Sequence, residues 1–261
     1  MRKAINYDVG VRTTPDRPSR PRFDPGQVRE EMRVIRRDLG CAAVRIFGEA
    51  LDRLTVAAEH ALAEGLEVWF SPDPHNSRPG EWLPYLSECA KTAERLRAGS
   101  DRVVFVAGRE LTFFMRGLVL GRDAFARMRT FTSVPRLVAN LALKGSFNRR
   151  LNGFLARAAP VVRAEFGGRV TYAAGAAGPR RARAGRRDHR LLDVFAEEGV
   201  DTAFLFTYAS YSYPHHSDPV HDLDLAAYGV VRCLPDGSRE PKEAFHAYVA
   251  WPGPRGGALS R

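Results

Sequence analysis

Side chains able to move protons, pair charges or stack on a ligand recur beside short apolar runs of this chain: Asp8, Arg45, Glu49, Asp73, His75, Asn76, Arg109, Glu110, Tyr208 and Tyr211. If those runs are parallel strands, these residues collect at the carboxyl ends, where the connecting loops of a β/α fold converge and chemistry is done. Glu110 also has a plain structural reading, as the partner of Arg45 or Arg109 in a buried ion pair.

Other clusters carry weaker signals. His215, His216 and His221 with Asp218, Asp222 and Asp224 offer imidazoles and carboxylates that a metal accepts, but their spacing fits no compact site, so a loop shaped by Pro214 and Pro219 is expected and no metal. The stretch Ala174-Gly175-Ala176-Ala177-Gly178 lacks the dinucleotide fingerprint, so no nucleotide cofactor is expected. Trp69 and Phe70 read as packing residues.

The elements that must position these groups alternate. Strands are expected at 4–10, 42–48, 66–72, 102–108, 169–174 and 202–208, separated by helices beginning near Asp24, at Leu51, and from Glu81 to Leu96. A long helical stretch from Leu118 to Phe166 is interrupted at Pro135, Gly145 and Gly153, and an extended piece at 228–232 precedes a closing helix near 241–248. The tail from Trp251 reads as frayed. Repeated βα units predict a parallel sheet, and 261 residues suit a single α/β barrel of the TIM (β/α)8 type spanning 1–261. Only six strands are recognisable where eight are needed. The barrel is therefore expected to be incomplete, with a gap or an irregular contact between the strands at 169–174 and 202–207.

The formal charge of +10 raises nucleic acid as a partner, but the basic residues are scattered and their one dense run, from Arg180 to Arg187, reads as a solvated loop. No apolar run is long enough to cross a bilayer, and the N-terminus has no secretory pattern. Cys41, Cys89 and Cys233 are odd in number and widely spaced, which suits reduced thiols and a cytoplasmic location.

Val-Arg-Ile-Phe-Gly at 44–48, Val-Phe-Val-Ala-Gly-Arg-Glu-Leu at 104–111, Phe-Thr-Tyr at 206–208 and Glu-Pro-Lys-Glu-Ala-Phe at 240–245 form an ordered set. The set resembles a bacterial TIM-barrel family often labelled abortive infection protein and similar to retaining glycoside hydrolases; the likeness covers about residues 3–175 and 191–250. It implies that Glu110 stands at the general acid/base position, with Arg109 where an asparagine is usual, and that Arg45 matches an arginine supporting the nucleophile. The seventh-strand motif that carries the nucleophile is absent.

Retention needs two carboxyls about 5 Å apart, so the resemblance implies weak activity or none; inversion would need a second carboxyl, Asp8 or Asp73, about 6.5–9.5 Å away. The expected ligand is a carbohydrate, bound with help from Asp8, Arg45, Asp73, Arg109 and Tyr208. The alternative is a non-catalytic carbohydrate- or partner-binding protein in phage defence. The Gly/Arg/Ala-rich junction near 175–190 is compatible with evolutionary loss, internal deletion or a faulty gene model.

Overall fold

The computed structural model describes residues 1–14, 17–173, 192–193 and 195–251. Six strands, β1 (Arg2–Gly10), β2 (Ala43–Gly48), β3 (Glu67–Pro72), β4 (Val103–Arg109), β5 (Arg169–Ala173) and β6 (Thr202–Leu205), form one parallel sheet in the order β5-β4-β3-β2-β1-β6. All six expected strands are present. The sixth is shorter than expected, ending at Leu205 rather than Tyr208.

Helices α1 (Pro25–Arg37), α2 (Leu51–Ala63), α3 (Pro79–Gly99) and, after the shorter α4 (Leu111–Phe114), α5 (Ala124–Phe131) and α6 (Val134–Lys144), the long α7 (Phe147–Glu165) follow the strands in turn. Asp24 caps α1, its carboxylate accepting from Gln27 N at 2.8 Å. The third helix starts two residues before its expected Glu81, because Pro79 falls where a missing N–H costs nothing. Pro135 likewise begins α6 instead of breaking it, and Gly153 lies inside α7; of the three expected interruptions only Gly145 ends a helix.

Period-two alternation divides each strand between two environments. Ile5, Tyr7 and Val9, Val44 and Ile46, Val68 and Phe70, and Val103 and Phe105 face the helices and meet Met32, Ile35, Ala57, Leu86, Cys89 and Phe154 in one core. The other parity faces a concave side. There the rings of Trp69 on β3 and Phe204 on β6 lie 4.7 Å apart although two strands separate theirs in the sheet. A flat sheet would hold such strands about 14 Å apart at the usual spacing of nearly 5 Å, so this contact requires a strong curl. The sheet is a half-barrel. Its end strands are β5 and β6, and among the described residues no pairing joins them, which leaves it open where the strand count put the break.

The basic run from Arg180 to Arg187 and the junction near 175–190 lie outside the described residues. After β6 the chain makes a hairpin that the sequence reading took for a single extended piece: β7 (Val231–Cys233) pairs antiparallel with β8 (Arg239–Pro241) across Pro235-Asp236-Gly237. Helix α8 (Glu243–Ala250) closes the described fold. Trp251, expected to fray, is 5% exposed and donates from Nε1 to Asp193 at 3.0 Å.

Candidate functional site

Of the six residues to which the resemblance assigns acid/base work or carbohydrate binding, the carboxyl ends of β1 to β4 bring together five: Asp8, Arg45, Asp73, Arg109 and Glu110. Asp73, one residue past β3, is fully buried. Arg109 reaches it with Nε at 3.0 Å and a terminal nitrogen at 2.9 Å. By simple alternation Arg109 would face the helices with Phe105 and Ala107. A register shift between Val106 and Arg109, at Gly108, turns it to the concave side instead. His75 Nε2 stands 3.3 Å from Asp73 and 3.2 Å from Arg109, its Nδ1 lies 3.1 Å from Thr13 Oγ1, and its ring stacks on Phe114 at 4.1 Å. Burial opposes charge on Asp73, but the nearby Arg109 and His75 outweigh it and hold the carboxyl well below its usual range.

Arg45 spans three strands, donating to Asn6 Oδ1 at 3.0 Å and to Ser71 Oγ at 2.8 Å. Burial and the neighbouring Arg109 charge push it down to about 10, while Asp73 and Glu110 act in the opposite sense. Asp8 accepts from Gly10 N at 2.7 Å, and burial raises its pKa. Glu49 is taken by Arg12.

Glu110 differs from all of these. It is half-buried, and its carboxylate has no ion pair or hydrogen bond among the described residues; the partners it might have had, Arg109 and Arg45, are committed to Asp73, Asn6 and Ser71. Its backbone is left-handed at φ 42°, ψ 42°, a conformation costing a non-glycine residue roughly 1–2 kcal/mol. Glu110 N donates to Ala173 O at 3.1 Å, locking this turn to β5. Strain held in place by neighbours is a recurrent mark of working residues.

Tyr208 is not part of this group. It lies on the helix side beside Tyr7, with ring centroids 5.9 Å apart, in a buried network centred on Glu31. Tyr211 is there too, donating to Glu31 at 2.9 Å. The aromatics that do reach the mouth are Phe206, 46% exposed, and Tyr228, 74% exposed. Phe206 stacks on Phe47 at 6.2 Å and meets Tyr228 at 6.1 Å; the Phe47 ring in turn lies under both Arg45 and Arg109. Sequence reading missed Phe206, though continuing the inward parity of Phe204 by one step would have found it.

The histidine-rich loop distributes its imidazoles rather than focusing them. His215 pairs with Asp222 and His221 with Asp218, each at 2.7 Å, while Asp224 is held by Lys242 at 2.8 Å. Among the described residues no group of three or more His, Cys, Asp or Glu side chains could hold a metal ion. No helix among them is long and apolar enough to cross a membrane.

Fold and site together define a mixed α/β protein with a curled six-stranded parallel sheet and a charged, aromatic-edged mouth. Comparison with protein-family models and with curated proteins finds no match.

Proposed function

We propose that this chain is an incomplete TIM-type barrel, similar to glycoside hydrolases, whose mouth binds carbohydrate and whose catalytic power is weak or lost. The observation that carries the reading is Glu110: a strained, half-buried carboxylate at the carboxyl end of β4, without a partner among the described residues. Such a group can give a proton to a glycosidic oxygen and recover it. Phe206 and Tyr228 supply exposed ring faces at the same end, and Arg45, Arg109 and Asp73 supply a fixed polar floor.

Hydrolysis needs a second carboxylate free to attack or to activate water. Asp73 is clamped by Arg109, Glu49 is paired with Arg12, and Asp8 is buried against Gly10 N. Among these carboxylates at the described strand ends Glu110 is left to act alone, which favours binding over turnover.

The test combines an aryl-glycoside panel with titration of neutral oligosaccharides. Turnover by the wild-type chain should be near background and no higher than that of Glu110→Gln, while Phe206→Ala should weaken oligosaccharide binding about tenfold. Robust turnover abolished by Glu110→Gln would show a second working carboxylate and overturn the claim of lost catalysis. Absence of any saturable oligosaccharide binding would remove the carbohydrate assignment. The phage-defence role is decided separately, by equal or reduced plating efficiency in cells carrying the gene.

A further inference from the structure

We propose that a basin on the outer rim, walled by Arg78, Arg116, Arg122 and Lys144, binds a phosphate-bearing small molecule, independently of the Glu110 mouth. Its volume is about 460 Å³, and the remainder of its lining is Pro79, Gly117, Val119, Leu120 and Gly121. That size lies within the roughly 300–1,000 Å³ of ordinary small-molecule sites.

The charge of this basin is not neutralised. Arg78, Arg116 and Lys144 make no ion pair among the described residues, and Arg122, 91% exposed, reaches only Asp123 at 3.3 Å. Glu81 turns its carboxylate to the backbone N of Arg78 at 2.8 Å and not to the guanidinium. Around the basin, residues 111–150 contain eight basic side chains and one acidic one, Asp123. The repulsion is felt next door: buried Arg127 is pushed down to about 10, by burial first and by the charge of Arg116 as well.

The walls are built rather than accidental. Arg127, fully buried, donates to Gly121 O at 3.3 Å, to Phe114 O at 3.2 Å and to Asn76 Oδ1 at 2.6 Å, and so fixes the loop after α4 against the loop after β3. Asn140 accepts from Leu120 N at 2.9 Å behind the same wall. The first turn of the 21-residue α3 begins at Pro79 on the basin's edge, adding the positive end of its dipole. Several guanidinium forks and an ammonium around one small concavity suit a phosphate dianion or a pyrophosphate better than a single carboxylate, because each phosphate oxygen can accept from a different cation.

Calorimetric titration of the full chain with inorganic pyrophosphate tests this. Saturable 1:1 binding is expected, weakened at least tenfold in Arg78→Gln/Lys144→Gln and separately in Arg116→Gln. It should be unchanged in Glu110→Gln and in Arg33→Gln, whose charge lies on α1 beside Glu30. The substituted side chains are at the surface, and a thermal melt of each variant verifies folding. Absence of saturable binding below about 10 mM overturns the proposal, as does equal loss in the Arg33 control. A second arm uses a short single-stranded oligonucleotide, for which weak binding insensitive to Arg78 and Lys144 is expected. Binding of the oligonucleotide a hundredfold tighter than pyrophosphate, and lost in the same variants, would overturn the small-molecule assignment.

Discussion

Replacing Glu31 with alanine should destabilise the fold more than any change at the mouth. Glu31 is 2% exposed and Arg20 1% exposed, and they meet at 3.0 Å between α1 and the loop after β1. The same carboxylate accepts from Tyr7 Oη, from Tyr211 Oη at 2.9 Å and from Arg239 at 2.9 Å, so one side chain ties β1, α1, the segment after β6 and the hairpin strand β8. Removing it strands a buried guanidinium, for which the cost is about 3–5 kcal/mol. The two tyrosine hydroxyls would add about 1 kcal/mol each if nothing replaced their acceptor, but water entering the space left by the carboxylate offsets part of this. A net loss of about 4 kcal/mol follows, or a melting temperature lower by about 10 °C for a chain of this size. Arg20→Met/Glu31→Leu removes both buried charges together; Arg239, 16% exposed, can turn to solvent. The double variant should therefore be more stable than Glu31→Ala, with a coupling of at least about 2 kcal/mol in a double-mutant cycle. Urea unfolding of wild type, Arg20→Met, Glu31→Leu and the double variant measures the coupling, with Glu31→Ala unfolded alongside. A Glu31→Ala midpoint within about 1 kcal/mol of wild type, or additive single changes, would refute the reasoning.

Alkaline pH should unfold the protein from the same region. Burial raises the pKa of Tyr7, Tyr208 and Tyr211, so these groups keep their protons in the folded state when the unfolded chain begins to release them near pH 10. Their contribution is complete below that pH and is lost as pH rises toward the folded values; Cys41 and Cys89, pushed up to about 12 by burial, add with the same sign from about pH 8.5. A urea midpoint that stays level between about pH 8 and 11 would contradict this. Gly121→Ala should cost about 1–3 kcal/mol, since its φ is +144° and a Cβ would stand 2.6 Å from Arg127 N; an unchanged melt would show that the loop after α4 yields freely.

The strands and their two faces were legible in the residues themselves. Ile5, Tyr7 and Val9 alternate with Asn6 and Asp8, and Val44 and Ile46 with Arg45, because a strand gives successive side chains to opposite sides and only one side meets the helices. Six runs of this kind gave six strands in one parallel sheet, whose end strands β5 and β6 do not pair among the described residues. The clustering of Asp8, Arg45, Asp73, Arg109 and Glu110 at one end was legible for the same reason.

Which of those groups pair was not. Asp73 rather than Glu110 receives Arg109, because an irregularity at Gly108 reverses the direction of one side chain, and no alternation of residue types encodes that. Tyr208 lies on the helix side, and Phe206 takes the mouth, because the strand ends at Leu205 and the chain after it is routed by Tyr211 and Arg239 toward Glu31. The contact of Trp69 with Phe204 exists only because the sheet curls. Sequence fixes the periodicity of each element, which is local. Pairing of charges and closure of the concave face depend on distances between segments as far apart as Glu31 and Arg239, and these are set only when the whole sheet bends around its core.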